Sequence, residues 1–123
     1  MQKVIIDSCG WVALVEAGLN LDSEMSVLTG PFRMMLLPSV NAELEKLSEH
    51  GKSLLLDLLR SRSDDVEPTV DSGSHTDDQI HDLAQNNGWA VLTVDRVLKK
   101  RLIESSCMVI EVVSGKRLRI AVQ

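Results

Sequence analysis

Residues 74–101 read SHTDDQIHDLAQNNGWAVLTVDRVLKKR, and three elements follow one another in them without a gap. At 100° per residue, with Asp77 set at zero, Ile80, Leu83 and Ala84 gather on one side of a helix. Asp77 lies much nearer that stripe than Asp78 or Asp82 and so points inward from the first turn. Asn86-Asn87-Gly88 accepts left-handed geometry and ends the helix. Trp89 to Val94 is then an apolar, β-rich run of the length of a buried strand, and Asp95 stands where it stops. In an open parallel sheet the ligand crevice lies outside the carboxyl ends of the strands, which is the position this gives Asp95.

Working outward, other acids take similar positions. Val4-Ile5-Ile6 is a continuous apolar run of the kind buried on both faces of a parallel sheet, and Asp7 ends it. Ser8 is placed to cap the following helix, which carries Trp11, Ala13, Leu14 and Ala17 and is interrupted by Gly18 and Asn20. An acid directly after three buried apolar residues is costly to dehydrate unless it is paired or bound to a cation, so Asp7 reads as more than a helix cap. Asp22 to Leu28 predicts a short helix closed by Gly30-Pro31, and Arg33 to Leu37 a second strand. Ser39 is the expected cap of the next helix. On that wheel Val40, Leu44 and Leu47 face the core, Glu43 falls at the edge of the stripe, and Glu45 and Glu49 face away.

Ser53 to Arg60 predicts a helix that is apolar around its circumference, either sandwiched in the fold or forming the face of a homodimer. Arg60 to Asp65 reads as a polar turn, Val66 to Val70 as a Pro-bearing edge strand and Asp71 to Ser74 as a loop. Val97, Leu98 and Leu102 give the last helix an apolar side, against Arg96, Lys99, Lys100 and Arg101. Met108 to Val113 is the final main strand, and Gly115 opens a basic tail with room for a small extra strand. The alternation predicts an α/β fold, a three-layer α/β/α sandwich around a mainly parallel sheet of about five strands.

With 123 residues the chain suits one domain, 1–123, with one core. Its 44% hydrophobic and 25% charged residues are ordinary for a soluble globular protein. No apolar run approaches the roughly 20 residues of a membrane span, and the start lacks the features of a secretory leader, which together predict a cytoplasmic protein with no membrane partner. Cys9 and Cys107 form no Cys-x-x-Cys pair or disulfide framework and read as buried or inert thiols. Residues 1–95 hold 6 Lys+Arg against 16 Asp+Glu, and residues 96–123 hold 7 against 2. An acidic centre that holds cations beside a basic rim that meets phosphates fits this division, as does ordinary solvated surface charge.

Asp7, Glu43, Asp77 and Asp95 would repel one another strongly in one cleft and must protonate or bind metal. An all-oxygen set selects hard ions, Mg2+ or Mn2+, over zinc. His75 and His81 lie close to Asp77 in sequence and read as surface or loop residues. Cation sites of this kind work on phosphates, where metal activates a water nucleophile and offsets charge on the leaving oxygen.

Four segments, VIIDS at 4–8, PSVNAELEKL at 38–47, TDDQIHDLA at 76–84 and VLTVDRVLKKRL at 91–102, resemble the PIN domain, a ribonuclease fold found in VapC-type toxins, in ribosomal RNA processing factors and, more distantly, in flap nucleases. Each segment brings one acid of the family's quartet, in the family's order. The resemblance implies that Asp7, Glu43, Asp77 and Asp95 are the catalytic, metal-binding acids, with Glu43 a ligand or an organiser of the attacking water. Thr93 and Ser8 match the family's supporting hydroxyls, whereas Cys9 departs from the commoner Asn or Ser. It implies an endoribonuclease using one or two Mg2+ or Mn2+ ions, with RNA as substrate and an antitoxin or a ribosome-assembly factor as partner. The ELEKL, LKKRL and GKRLRI segments look most like the free-standing archaeal and ribosome-processing branch. Arg96, Lys99, Lys100 and Arg101, with Lys116, Arg117 and Arg119, are the expected contacts to the RNA backbone. Trp11 and Trp89, the large rings besides Phe32, read as core or interface residues, so base stacking is poorly supplied.

Two other classes compete. One is a catalytically silent PIN-fold module that binds RNA or protein. The other is a phosphoacceptor receiver domain, for which Val70-Asp71 is a poor acceptor position and Ser114-Gly115-Lys116 a loose match to its lysine.

Overall fold

A computed structural model describes residues 1–51, 53–114 and 116–121. Along the chain run β1 (Gln2–Ile6), α1 (Ser8–Glu16), α2 (Leu21–Thr29), β2 (Phe32–Leu36), α3 (Pro38–Glu49), α4 (Leu56–Ser61), β3 (Ser63–Asp65), α5 (Thr76–Asn87), β4 (Ala90–Leu92), α6 (Arg96–Glu104), β5 (Val109–Val113) and β6 (Arg117–Ile120). The strands form one sheet in the order β3-β2-β1-β4-β5-β6. All its pairings are parallel except β5–β6. The expected α/β architecture is therefore present, with six strands among the described residues where about five were expected.

The apolar runs are central because both faces of the sheet are covered. Val4, Ile5 and Ile6 of β1 and Ala90, Val91 and Leu92 of β4 are completely buried. They are neighbours in the register Val4–Ala90, Ile5–Val91 and Ile6–Leu92. Consequently the residues just past these strands, Asp7 and Thr93, emerge side by side. Gly88 closes α5 at φ 68°, the left-handed geometry expected of it.

Several boundaries differ from the sequence reading, each for a long-range reason. The third strand is Ser63–Asp65 rather than Val66 to Val70, because Arg33 on β2 clamps Asp64 at 2.8 Å and also donates to the Ser63 carbonyl. The leucine helix starts at Leu56 rather than Ser53: Leu55 takes a left-handed conformation, and the Leu54 carbonyl accepts the Trp11 indole N–H at 2.8 Å. Leu54 and Leu59 are buried and Leu55 is half-exposed, so this segment largely belongs to the core. Neither Ser8 nor Ser39 caps a helix. Each lies inside the first turn, after Asp7 and Leu37 respectively, and Pro38 occupies the start of α3, where its missing N–H costs nothing. On α6, Leu98 and Leu102 are buried but Val97 is 78% exposed. Asp71 sits in a turn, away from any strand end. Gly115, the expected start of the basic tail, lies outside the described residues, and the small extra strand is β6. No helix among the described residues is long and apolar enough to cross a membrane.

Candidate functional site

Asp7 leaves β1 with 6% of its surface exposed. It occupies the residue before α1, yet its side chain makes no cap bond. Instead Oδ2 accepts the Thr93 hydroxyl at 2.7 Å and the Cys9 thiol at 3.2 Å. Its backbone N–H donates to the Leu92 carbonyl at 3.0 Å, fixing it against the end of β4. Among the described residues no cation pairs with Asp7, a costly arrangement for a buried carboxylate.

Thr93 is completely buried and brackets two acids. While donating to Asp7, its Oγ1 accepts the Asp95 backbone N–H at 3.1 Å. Asp95 in turn caps α6, with Oδ1 accepting the Leu98 N–H at 2.9 Å. That leaves Oδ1 of Asp7 and Oδ2 of Asp95 without a hydrogen-bond partner among the described residues.

Asp77 occupies the first turn of α5 and is half-buried, as the helical wheel requires. Burial pushes its carboxyl above the ordinary carboxylate range, and the charges of Asp7 and Asp95 push it further; His75 and Arg101 pull the other way. Asp7, Asp77 and Asp95 thus lie within one electrostatic neighbourhood. Glu43 is exposed on α3. One turn before it, Ser39 donates to Gln79 Oε1 at 3.2 Å, and Gln79 Nε2 donates to the Gly73 carbonyl at 2.9 Å. Residues i and i+4 share a helix face, so Glu43 lies on the side of α3 that meets α5. Among the described residues, no three His, Cys, Asp or Glu side chains are already drawn together as a metal cluster.

Burial pushes the Cys9 thiol up, and the neighbouring Asp7 charge adds to this; the contacts with the Thr93 hydroxyl and the Val94 backbone only partly offset it. The raised thiol accords with Cys9 acting as a hydrogen-bond donor to Asp7.

Four contributors are not singled out by the sequence alone. A Cβ on Gly10 would come 2.5 Å from the Leu92 carbonyl oxygen and 3.0 Å from the Thr93 Cα, so only glycine lets α1 lie this close to the exit of β4. Its position three residues after Asp7 is the available signal. Buried Gln79 joins α3, α5 and the 71–74 loop. His81, expected on the surface, is 8% exposed and bonds Ser105 Oγ through Nε2 at 2.8 Å, tying α5 to the end of α6. Glu111 is buried on β5 and pairs with both Lys99 and Arg119, each at 2.9 Å.

Of the expected backbone-binding cations, Lys99 is therefore engaged by Glu111, and Arg101 by Asp78 at 2.6 Å. Arg96 and Lys100 are exposed and form no ion pair among the described residues.

A family model described as a PIN like domain matches residues 4–115. The chain belongs to the PIN-like domain family. The match spans all the PIN segments read from the sequence, from VIIDS to VLTVDRVLKKRL, and PIN domains are generally nucleases. Among solved structures, that of the PIN domain endonuclease Utp24 matches with a TM-score of 0.77 at 23% identity, covering 96% of this chain and 90% of that one. PAE2754 from Pyrobaculum aerophilum matches with a TM-score of 0.55 at 17% identity, covering 81% and 84%. At these identities the likeness is one of fold, and it agrees with the PIN assignment made by the family model. No curated protein matches the chain significantly by sequence.

Proposed function

We propose that this PIN domain is a metal-dependent endoribonuclease in which Asp7, Asp77 and Asp95 hold one or two Mg2+ or Mn2+ ions. The observation that carries the reading is the Thr93 bracket: one buried hydroxyl bonds the Asp7 carboxylate and the Asp95 backbone N–H at the exits of β1 and β4, while each acid keeps an oxygen with no hydrogen-bond partner among the described residues. Buried Asp7, with no cationic partner among the described residues, is the group such an ion would satisfy.

The donor set fits. It is all oxygen, and Mg2+ commonly keeps several waters while binding one or two carboxylates, so the acids need not be collapsed into a tight cluster. When bound, the ion would lower the pKa of water and offset charge on the leaving oxygen of a phosphodiester. The chain's own residues supply orientation. Thr93 and Cys9 hold Oδ2 of Asp7, and the first turn of α6 holds Oδ1 of Asp95, so each acid presents its other oxygen. Half-exposed Asp77 completes the set from α5. Glu43, exposed on the α3 face that also carries Ser39, is assigned to organising the attacking water, and Ser8, buried at the start of α1 directly after Asp7, is assigned a supporting role. Arg96 and Lys100 are free to meet the RNA backbone, contacts that give affinity with little sequence information.

The test is Mn2+-dependent cleavage of single-stranded RNA by the purified protein. Asp7→Asn and Asp95→Asn are each expected to lower the rate at least about a thousandfold, within the 10⁶-fold or greater acceleration typical of enzymes, with the fold retained by circular dichroism. Undiminished cleavage in both variants would dismiss the reading. The exposure of Glu43 and the open spacing of the acids favour a second reading, a silent module that binds RNA; tight RNA binding with no turnover in Mn2+ would establish it.

A further inference from the structure

Glu111 differs from the other ion-paired acids among the described residues. Asp22, Glu45, Asp64 and Asp78 each pair with a single arginine at an exposed site, and Asp82 with the His81 ring at 3.6 Å. Glu111 is buried, and its two oxygens are divided between two cations, Lys99 Nζ on Oε1 and Arg119 Nε on Oε2, both at 2.9 Å. With both oxygens engaged it has no place in the metal-binding set.

Its location relates it to that set nonetheless. Val91 and Leu92 of β4 pair in register with Val109 and Ile110 of β5, and the Thr93 N–H donates to the Ile110 carbonyl at 3.1 Å. The next row therefore places Glu111 beside Thr93, and in-register neighbours on parallel strands point to the same face. Lys99 arrives from α6 one turn after Asp95, its N–H bonded to the Asp95 carbonyl. Arg119 faces Glu111 directly across the β5–β6 pair.

We infer that Lys99 and Arg119, pinned by buried Glu111 one strand from Thr93, form a preset seat for an RNA backbone phosphate next to the one that is cut. The inference rests on the nuclease reading for its substrate. One carboxylate against two cations leaves the Glu111 cluster itself with a net positive charge, beside the acidic mouth. Arg119 is 61% exposed at its side chain and uses only Nε on Glu111, so its two terminal nitrogens remain for a phosphate; Lys99, 30% exposed, keeps two further N–H groups. Flexible cations lose much rotamer freedom on binding a phosphate, and here Glu111 has already restricted both. Burial raises the Glu111 carboxyl, but the bonds from Lys99 and Arg119 outweigh it and hold the group below its ordinary range, so it stays anionic at neutral pH.

The experiment follows fluorescence anisotropy of a labelled single-stranded RNA in EDTA, where turnover plays no part, alongside KM and kcat in Mn2+. Glu111→Gln makes the site one charge more positive, so attraction by charge alone predicts tighter RNA binding. The pinned seat predicts the opposite, an affinity lower by about fivefold, with KM raised by a similar factor and kcat held. Should Glu111→Gln fail to fold, Arg119→Gln at the exposed side of the pair replaces it. Arg119→Gln is expected to weaken binding about fivefold and to reduce the salt slope of log K by about 0.7, the loss of one phosphate contact on a single strand. Tightened or unchanged binding in Glu111→Gln, or unchanged affinity and slope in Arg119→Gln, overturns the inference. Because binding is read without metal, a failure of the nuclease reading appears separately, as wild-type RNA binding without cleavage.

Discussion

At the scale of single residues, Thr93 decides how the site is held. Removing its hydroxyl while keeping its shape leaves the buried Asp7 carboxylate short of its closest donor and releases the Asp95 N–H. Thr93→Val is expected to destabilise the metal-free protein by about 1–3 kcal/mol, the usual penalty for a buried polar group deprived of its partner. Thr93→Ser, which keeps the donor, should stay near wild type in thermal unfolding and in RNA cleavage. Asp77 carries a pH signature. Its native carboxyl holds a proton more tightly than in the unfolded chain, so its contribution to stability is present below the unfolded pKa and lost as pH rises through the folded one. Asp77→Asn should therefore raise Tm in EDTA at neutral pH, with the gain vanishing toward pH 3, and unfolding scans at the two pH values check it. The inward lean of Asp77 was legible because helical spacing fixes direction. Thr93 was legible only by resemblance, since nothing local shows that its hydroxyl would meet a carboxylate 86 residues away.

At the scale of elements, α1 lies against the end of β4 because Gly10 has no side chain. A methyl there meets backbone atoms of Leu92 and Thr93, which cannot yield without breaking the Asp7 N–H to Leu92 bond. Gly10→Ala is expected to cost about 1–3 kcal/mol, as overpacking does, and to lower RNA cleavage by moving Asp7 away from Thr93; chemical denaturation and the cleavage assay read the two effects. The central strands could be read from Val4-Ile5-Ile6 and Ala90-Val91-Leu92 because a strand buried on both faces has to be continuously apolar. Two other elements were misplaced because their conformation is set from afar. Ser63–Asp65 is too polar to look like a strand until Arg33 reaches across to it. The Leu54–Leu59 run shows nothing of the Trp11 indole that claims the Leu54 carbonyl and helps fix the start of α4.

At the scale of the whole molecule, sheet order turns separate acids into neighbours. With β1 and β4 adjacent at the centre, Asp7 and Asp95, 88 positions apart, come to one mouth, and α5 delivers Asp77 to it. The charge division along the chain has a corresponding spatial form: α6 and β6 bring Lys99 and Arg119 together on Glu111 beside that mouth, while Arg96 and Lys100 remain exposed. Composition could show this excess of cations after residue 95 but not their division into paired and free, which depends on Glu111 and Asp78. The most direct measurement is Mn2+ binding, read from the electron paramagnetic resonance signal of the free ion, for the wild type and for Asp7→Asn, Asp77→Asn and Asp95→Asn. Saturable binding of one or two ions by the wild type, weakened at least about tenfold by each substitution, is the expected result. A wild type that takes up no Mn2+, or three variants that bind it as tightly as the wild type, would contradict a cation site shared by these acids.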